Sequence, residues 1–412
     1  MVSPKNTYNF RSIKSVGNYD WILLGIVVIL SVLGLAFFAS SLSTKGVEVF
    51  RSEFLHQLIF GVWMGGFLAY LMAKLDYHLL FKYKNYVLLS GLVMLVYIAV
   101  FLIFADMTGM SRLQLVRSVS FLPIRPYIAN NAVRWIATPV SNFQPTELAK
   151  FTTLVYLSAF LNEIRDDITW LSLKRPLYVF ALTAGLIIIQ PDLGSILLIF
   201  GILISAMWVG KVPVKILSTI GLVMLCFALF FAFFTQYRFA RIQAFFNQES
   251  ASAFQVRQAK LAIQNGGWWG QGFGNSSYKS TIPEVSTDAI LGMIGEEIGF
   301  ILTLGFLGLY LLLFWRGLKI ANQAPDVGGK VLATGISVWL VTQAFLNVAG
   351  ITGLTPLKGL PLPFVSEGGS SLIINLMITG VLLNISSQSQ TGIYKPAISA
   401  DLKRLRFRPK QI

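Results

Sequence analysis

The 412-residue sequence predicts an all-α polytopic membrane protein of about ten transmembrane helices with two long extracytoplasmic loops. Three observations predict it. Hydrophobic residues make up 55% of the chain and charged residues 12%, with a mean hydropathy of +0.68. A soluble domain carries about 25% charged residues, so these polar side chains cannot cover a globular surface. Apolar runs recur from residue 21 to residue 386, most of them near the roughly 20 residues that cross a bilayer. The 33 Lys and Arg also fall unevenly along the chain. One alternating set of short segments holds 20 of them and the longer set 12, with Lys150 inside a run. The denser set marks the cytoplasmic side.

The predicted spans, in order, are 21–40, 57–74, 85–104, 146–162, 177–189, 193–209, 213–235, 287–315, 331–350 and 370–386. The first follows a polar tail, 1–20, and reads as an uncleaved anchor. The fifth is short and either begins earlier or is broken. The eighth exceeds one membrane thickness, so its first turns project or tilt. Residues 21–386 thus form one transmembrane domain, with long outer loops at 105–145 and 236–286 and a basic cytoplasmic tail at 387–412. Both termini are expected inside a bacterial cytoplasmic membrane. That tail suits anionic inner-leaflet lipid.

Composition also excludes. The net charge of +15 sits in loops between spans, which argues against nucleic acid as a partner. One cysteine, Cys226, rules out an internal disulfide framework, and two histidines make a His-rich metal site implausible. No repeat points to an inverted-repeat transporter. The Gly-rich run 266–274 and the Gly-Gly-Ser-Ser stretch at 368–371 match neither a dinucleotide fingerprint nor a phosphate-binding P-loop.

The informative residues are ionisable groups in or beside spans. Glu147 and Lys150 lie one turn apart at the start of the fourth span, either as a packing pair or as part of a site. Thr146 is the expected N-cap and Pro145 the helix starter, with Arg134-Trp135 upstream. Asp192, after Gln190-Pro191, either caps the sixth helix or supports a site. Asp288 lies where the large outer loop enters the eighth span, as an N-cap or as a partly desolvated general base. Gly292, Gly295 and Gly299 after it would form one face for close helix approach, and Glu296 and Glu297 read as structural or cation-coupled. The last outer connection, 353–371, is too rich in Gly and Pro for a helix and suits backbone that is buried in protein or lines a cavity near the membrane. Its Ser366, Gly368, Gly369 and Ser370 offer donors to an anion at a helix start.

Taken together these strings resemble the SEDS family of shape, elongation, division and sporulation proteins, FtsW, RodA and SpoVE. The resemblance rests on Arg134-Trp135-Ile136 with Phe143-Gln144-Pro145-Thr146-Glu147-Leu148-Ala149-Lys150, and on Gln190-Pro191-Asp192-Leu193-Gly194. It continues through Arg241, the stretch to Gly274-Asn275-Ser276, Thr287-Asp288 with 295–300, and Leu362-Pro363-Phe364-Val365-Ser366 with 368–371. Gly274-Asn275-Ser276 with Lys279, and Lys358-Gly359-Leu360-Pro361, are closer to the FtsW branch. In two places the chain departs from the family pattern. Ser286 stands where His is usual before Thr-Asp, and Glu367 where Tyr is usual before Gly-Gly-Ser-Ser.

The resemblance implies a peptidoglycan glycosyltransferase that polymerises lipid II into glycan strands, with Asp288 as the catalytic residue. On this reading Arg134, Lys150 and Arg241 are candidate pyrophosphate contacts, with Glu147 orienting Lys150, Asp192 a support or a divalent-cation ligand, and a metal or Lys358 balancing the Glu367 charge near the pyrophosphate path. No organic cofactor is expected, while a divalent cation (Mg or Mn) is an option. The implied partners are a class B penicillin-binding protein and other divisome or elongasome proteins. A flippase for lipid-linked precursor and a scaffold of degenerate activity are the alternatives.

Overall fold

The computed structural model describes residues 18–129, 132–139, 141–164, 168–190, 192–234, 251–356 and 359–389. The chain runs through α1 (Trp21–Leu42), α2 (Val47–Lys74), a short α3 (His78–Lys82), α4 (Lys84–Thr108) and a short α5 (Arg112–Ser118). A small antiparallel sheet follows, β1 (Arg125–Ala129), β2 (Ala132–Ala137) and β3 (Asn142–Phe143), in the order β1-β2-β3. Then come α6 (Pro145–Glu163), α7 (Trp170–Ile189), α8 (Leu193–Val209), α9 (Val214–Phe234) and α10 (Ala251–Gly266). The last three are α11 (Ile290–Gln323), α12 (Val327–Ile351) and α13 (Gly369–Ser389).

Seven of these helices (α1, α2, α4, α7, α11, α12 and α13) are long and apolar enough to cross a membrane. The apolar α8 and α9 are shorter in their described parts. The remaining predicted span, the fourth, is α6, too polar to qualify by hydropathy but buried along nearly its whole length. Polar side chains are tolerated there because protein, not lipid, surrounds them. The chain is a multi-pass, mostly helical membrane protein.

Boundaries moved where polar residues continue a helix past its apolar run. The fifth span begins early, at Trp170, after a capping box between Thr169 and Ser172. The second begins at Val47, and its first ten residues bury no side chain. Within it Gln57–Trp63 is π-helical. That segment packs on α13, where a Cβ at Gly61 would meet Leu372 at 2.8 Å and one at Gly65 would meet Leu376 at 2.7 Å. The centre of the bundle is α6, α12 and α13, with Trp339 fully buried.

The eighth span departs most from expectation. Gly292 and Gly295 do face another helix, since a Cβ at either would lie 2.8 Å from Ala259 or Ile263 of α10. Gly299 does not share that face. Its φ of 76° and ψ of 174° break α11, and a Cβ there would collide with Gly270 N. The Gly-rich outer loop fills the break. Gln271 N and Gly272 N donate to the carbonyls of Glu296 (2.9 Å) and Glu297 (3.0 Å), and Phe300 N donates to Gly267 O (2.9 Å). Backbone groups freed by the break are therefore satisfied from the loop, as they must be away from water. Instead of projecting as a straight rod, the helix divides into 290–298 and 300–323.

Candidate active site

Two irregular segments meet at the N-terminal end of α11. One is the turn 284–289, in which Glu284 takes φ 52° and its carbonyl accepts from Thr287 N (3.1 Å) and Ala289 N (3.2 Å). The other is the Pro-rich stretch 359–368, and its backbone is buried in protein, one of the two settings the sequence allows. Tyr310 Oη donates to Pro363 O (2.7 Å) and Gln343 Nε2 to Pro361 O (2.9 Å). On its far side a Cβ at Gly34 of α1 would meet Val365 Cα at 2.6 Å. Asn347 of α12 joins the two segments, because its Nδ2 donates to both Asp288 O and Leu360 O at 2.8 Å.

Asp288 sits in that turn, part-buried and outside the membrane-spanning helices. It is not a helix cap: the N-cap of α11 is Ala289, and no side chain bonds there. A Cβ on Gly359, which has φ 62°, would lie 3.3 Å from Asp288 Oδ2, so only glycine leaves that carboxylate this much room. Burial pushes the Asp288 pKa up, and the Glu284 and Asp192 carboxylates push it further. Arg134 pulls it down, and the balance is about 7. A carboxylate poised there can take a proton at neutral pH.

Arg134 lies on the central strand β2, and the sheet is what carries it from the first outer loop to Asp288. Its Nε is buried without a hydrogen-bond partner among the described residues. Asp192 is buried and caps α8, accepting from Ser195 N (3.1 Å) and Ser195 Oγ (2.8 Å). Its Oδ2 also receives Gln144 Nε2 at 3.3 Å, and Gln144 N donates to Ser370 Oγ at 3.2 Å. Gln144, not Thr146, is the N-cap of α6, with Pro145 at the first helical position as predicted. One residue thus ties three separated sequence strings together.

Glu147 and Lys150 pair at 2.8 Å inside the bundle, 1% and 0% exposed, and Lys150 Nζ lies 4.7 Å from the centroid of the Trp339 ring. They stand within packed protein, whereas Asp288 is reachable from its surface. Ser366 Oγ accepts from Leu362 N (2.9 Å) and closes a turn of the Pro-rich stretch. Gly368 and Gly369 are half-buried at the entry to α13, with a Cβ on Gly369 placed 3.4 Å from Ser141 Oγ. Arg241, Lys358, Pro191 and the basic tail lie outside the described residues. Glu296 is structural: Asn265 Nδ2 (2.7 Å), Ser277 Oγ (2.8 Å), Ser277 N (3.1 Å) and Ser276 Oγ all donate to it, organising the large loop. Glu297 accepts from Ser40 Oγ of α1.

The two departures in the sequence turn out to face each other. Ser286 Oγ donates to Glu367 Oε2 (2.6 Å), and Glu367 N donates to Ser286 O (2.8 Å). Burial pushes Glu367 above the ordinary carboxylate range, while the Ser286 hydrogen bond and Lys45 pull it back. Sequence reasoning missed Gln144, Asn347 and Glu284 as site residues. Gln144 precedes Pro145 at the start of α6, and that position is its signal in the sequence. Asn347 lies in an ordinary apolar span, and its only signal was an amide where lipid-facing helices have none.

Residues 20–391 match the family model FtsW/RodA/SpoVE, described as cell cycle protein. The chain belongs to this family. It is 34% identical over 381 residues to a probable peptidoglycan glycosyltransferase FtsW of Trichlorobacter lovleyi, covering 90% of this chain and 94% of that one. It is 36% identical over 271 residues to stage V sporulation protein E of Bacillus subtilis, covering 64% of this chain and 74% of that one. In solved structures it is similar to a chain of a peptidoglycan synthase complex that coordinates polymerization and crosslinking. The TM-score is 0.70 at 23% identity, covering 90% of this chain and 99% of that one. It is likewise similar to the rod shape determining protein RodA of Thermus thermophilus, with TM-score 0.64 and 23% identity over 90% of this chain and 98% of that one. At such identity the structures speak for the fold alone.

Proposed function

We propose that this FtsW/RodA/SpoVE-family chain is a peptidoglycan glycosyltransferase, polymerising lipid II into glycan strands at the outer face of the bacterial cytoplasmic membrane. Both termini are then cytoplasmic, and the Asp288 turn faces outward. The observation that carries the reading is a part-buried Asp288, with a pKa of about 7, within electrostatic reach of Arg134, whose buried Nε has no hydrogen-bond partner among the described residues.

Polymerisation needs one proton removed and one leaving group stabilised. In this reading Asp288 takes the proton from the acceptor sugar's 4-hydroxyl as that oxygen attacks the donor's anomeric carbon. The bond from that carbon to the lipid pyrophosphate breaks, and the departing oxygens gain charge. Arg134 offers the developing charge a guanidinium whose buried Nε has no other partner among the described residues. Arg241 and Lys358 are proposed as further cations for the pyrophosphate. Glu147, Lys150 and Asp192 act from within the bundle, holding α6 and α8 against the site. Among the described residues no group of three or more His, Cys, Asp or Glu side chains gathers to hold a metal ion. A divalent cation (Mg or Mn) is proposed as the pyrophosphate's counter-ion, for which one or two carboxylates such as Asp192 suffice beside the phosphates.

A flippase would need acids free to change partners across the membrane. Glu296 is instead held by donors from the outer loop, which favours the transferase. The relatives named FtsW support a role in cell division. The likeness to a synthase complex supports a class B penicillin-binding protein as partner, alongside other divisome or elongasome proteins. The test is purified protein with labelled lipid II, with and without that transpeptidase, and the strands resolved on a gel. Wild type is expected to make strands and Asp288→Asn none. Strands made equally well by Asp288→Asn would defeat the base assignment, and translocation without polymer would favour the flippase.

A further inference from the structure

Among the described residues no hydrogen bond or ion pair holds the Asp288 side chain, so its position depends on what fixes its backbone. Asn347 fixes the carbonyl of Asp288 itself and ties it to Leu360. Two residues upstream, a reciprocal pair of hydrogen bonds links Ser286 to Glu367, through Ser286 Oγ to Glu367 Oε2 (2.6 Å) and Glu367 N to Ser286 O (2.8 Å). Both attachments reach the same Pro-rich stretch, one near its start at Leu360 and one near its end at Glu367. We infer that Ser286 and Glu367 are a joint positioning pair, which locks the Asp288 turn to the Pro-rich stretch so that the two move as one body. The inference rests on the polymerase reading for its link to catalysis.

The chemistry favours a hydrogen bond over a charge contact as the working element. Ser286 is buried, so its hydroxyl needs an acceptor, and Glu367 supplies one. The charged groups that act on Glu367 are Glu53, Lys45 and Glu284. Lys45 is itself paired with Glu53 at 2.9 Å, and Glu284 lies in the Asp288 turn. Lys45, the cation that acts on Glu367 among the described residues, is thus shared with Glu53. What it holds is the Ser286 hydroxyl and, through its own N–H, the Ser286 carbonyl. A neutral amide at position 367 keeps an oxygen to accept that hydroxyl proton, while alanine does not.

The test uses the full-length chain in detergent with labelled lipid II, comparing Ser286→Ala, Glu367→Ala, the double variant and Glu367→Gln. Each alanine is expected to lower kcat by about tenfold with KM changed less than about twofold. Because the two residues act through one link, the double variant should fall no further than either single one. Glu367→Gln should stay within about threefold of wild type. On the same proteins, hydrogen exchange at residues 284–289 should quicken in Glu367→Ala and remain as wild type in Glu367→Gln. Losses that multiply to about a hundredfold in the double variant, or single variants of unchanged kcat, would overturn the pair. So would unchanged exchange in Glu367→Ala. A wild-type chain that makes no strands defeats the polymerase reading instead, and the exchange arm still decides the pair.

Discussion

The side-chain amide of Asn347 donates to the carbonyls of both Asp288 and Leu360, each at 2.8 Å. A residue in the middle of the bundle therefore sets the height of the proposed base against the Pro-rich stretch. Asn347→Ala would leave two carbonyls without donors, at about 1–3 kcal/mol each where they are buried. The expected outcome is a folded but less stable chain, with polymerisation reduced at least about tenfold because the turn loses its anchor. Melting in detergent and the strand assay check the two parts separately.

The pH dependence follows from Asp288. A base must be ionised to accept a proton, and this one has a pKa of about 7. Polymerisation should rise tenfold per pH unit below about pH 7 and level off above it. Stability runs the other way. The folded chain holds this proton more tightly than the unfolded one, so stability falls as pH rises from about 4 to about 7. Asp288→Asn should therefore be more stable than wild type at pH 8, by roughly 2 kcal/mol after allowing for partial exposure, and melt higher.

Lys150 and Glu147 are buried together, and removing one partner strands the other. Lys150→Ala is expected to cost about 3–5 kcal/mol, while Lys150→Met with Glu147→Gln should recover most of that. If the pair's work is packing, the double variant regains activity along with its melting temperature.

On the opposite face of the bundle His78 bridges Asp76 (2.7 Å) and Asp326 (2.9 Å). Burial alone would pull its pKa down, but the hydrogen bonds to Asp326 and Asp76 outweigh burial and raise it to about 9. A raised histidine pKa stabilises the fold fully below about pH 6.5, and that contribution fades as pH rises through about 9. Melting temperature should fall between pH 6 and pH 10 in wild type and fall less in His78→Gln.

Gly299 is the last test. Alanine there meets both the left-handed φ and the backbone of Gly270. Gly299→Ala should cost about 2–4 kcal/mol and loosen the loop that fills the break, seen as faster amide exchange at residues 267–272. Gly305→Ala, in the same helix with open space around it, is the control and should be near neutral or slightly stabilising.

The sequence by itself determined the class of molecule and the addresses of its chemistry. Apolar runs of bilayer length report the spans because a lipid environment permits little else, and strings such as Gln190-Pro191-Asp192 and Thr287-Asp288 marked the chain's unusual outer-side turns. Period and hydropathy could also see the pairing of Glu147 with Lys150, since three residues on a helix fix who meets whom. Only the tertiary structure decided which distant residues share a site. Gln144 reaches Asp192 and Ser370, Asn347 reaches Asp288, and Ser286 meets Glu367 across 81 residues of chain. Nor could a pattern of small residues distinguish Gly292 and Gly295, which admit a neighbouring helix, from Gly299, which breaks its own. The physical reason is common to all of these. Helix and span follow from contacts near in sequence and from the solvent, whereas a hydrogen bond between loops depends on how packed helices bring their ends together.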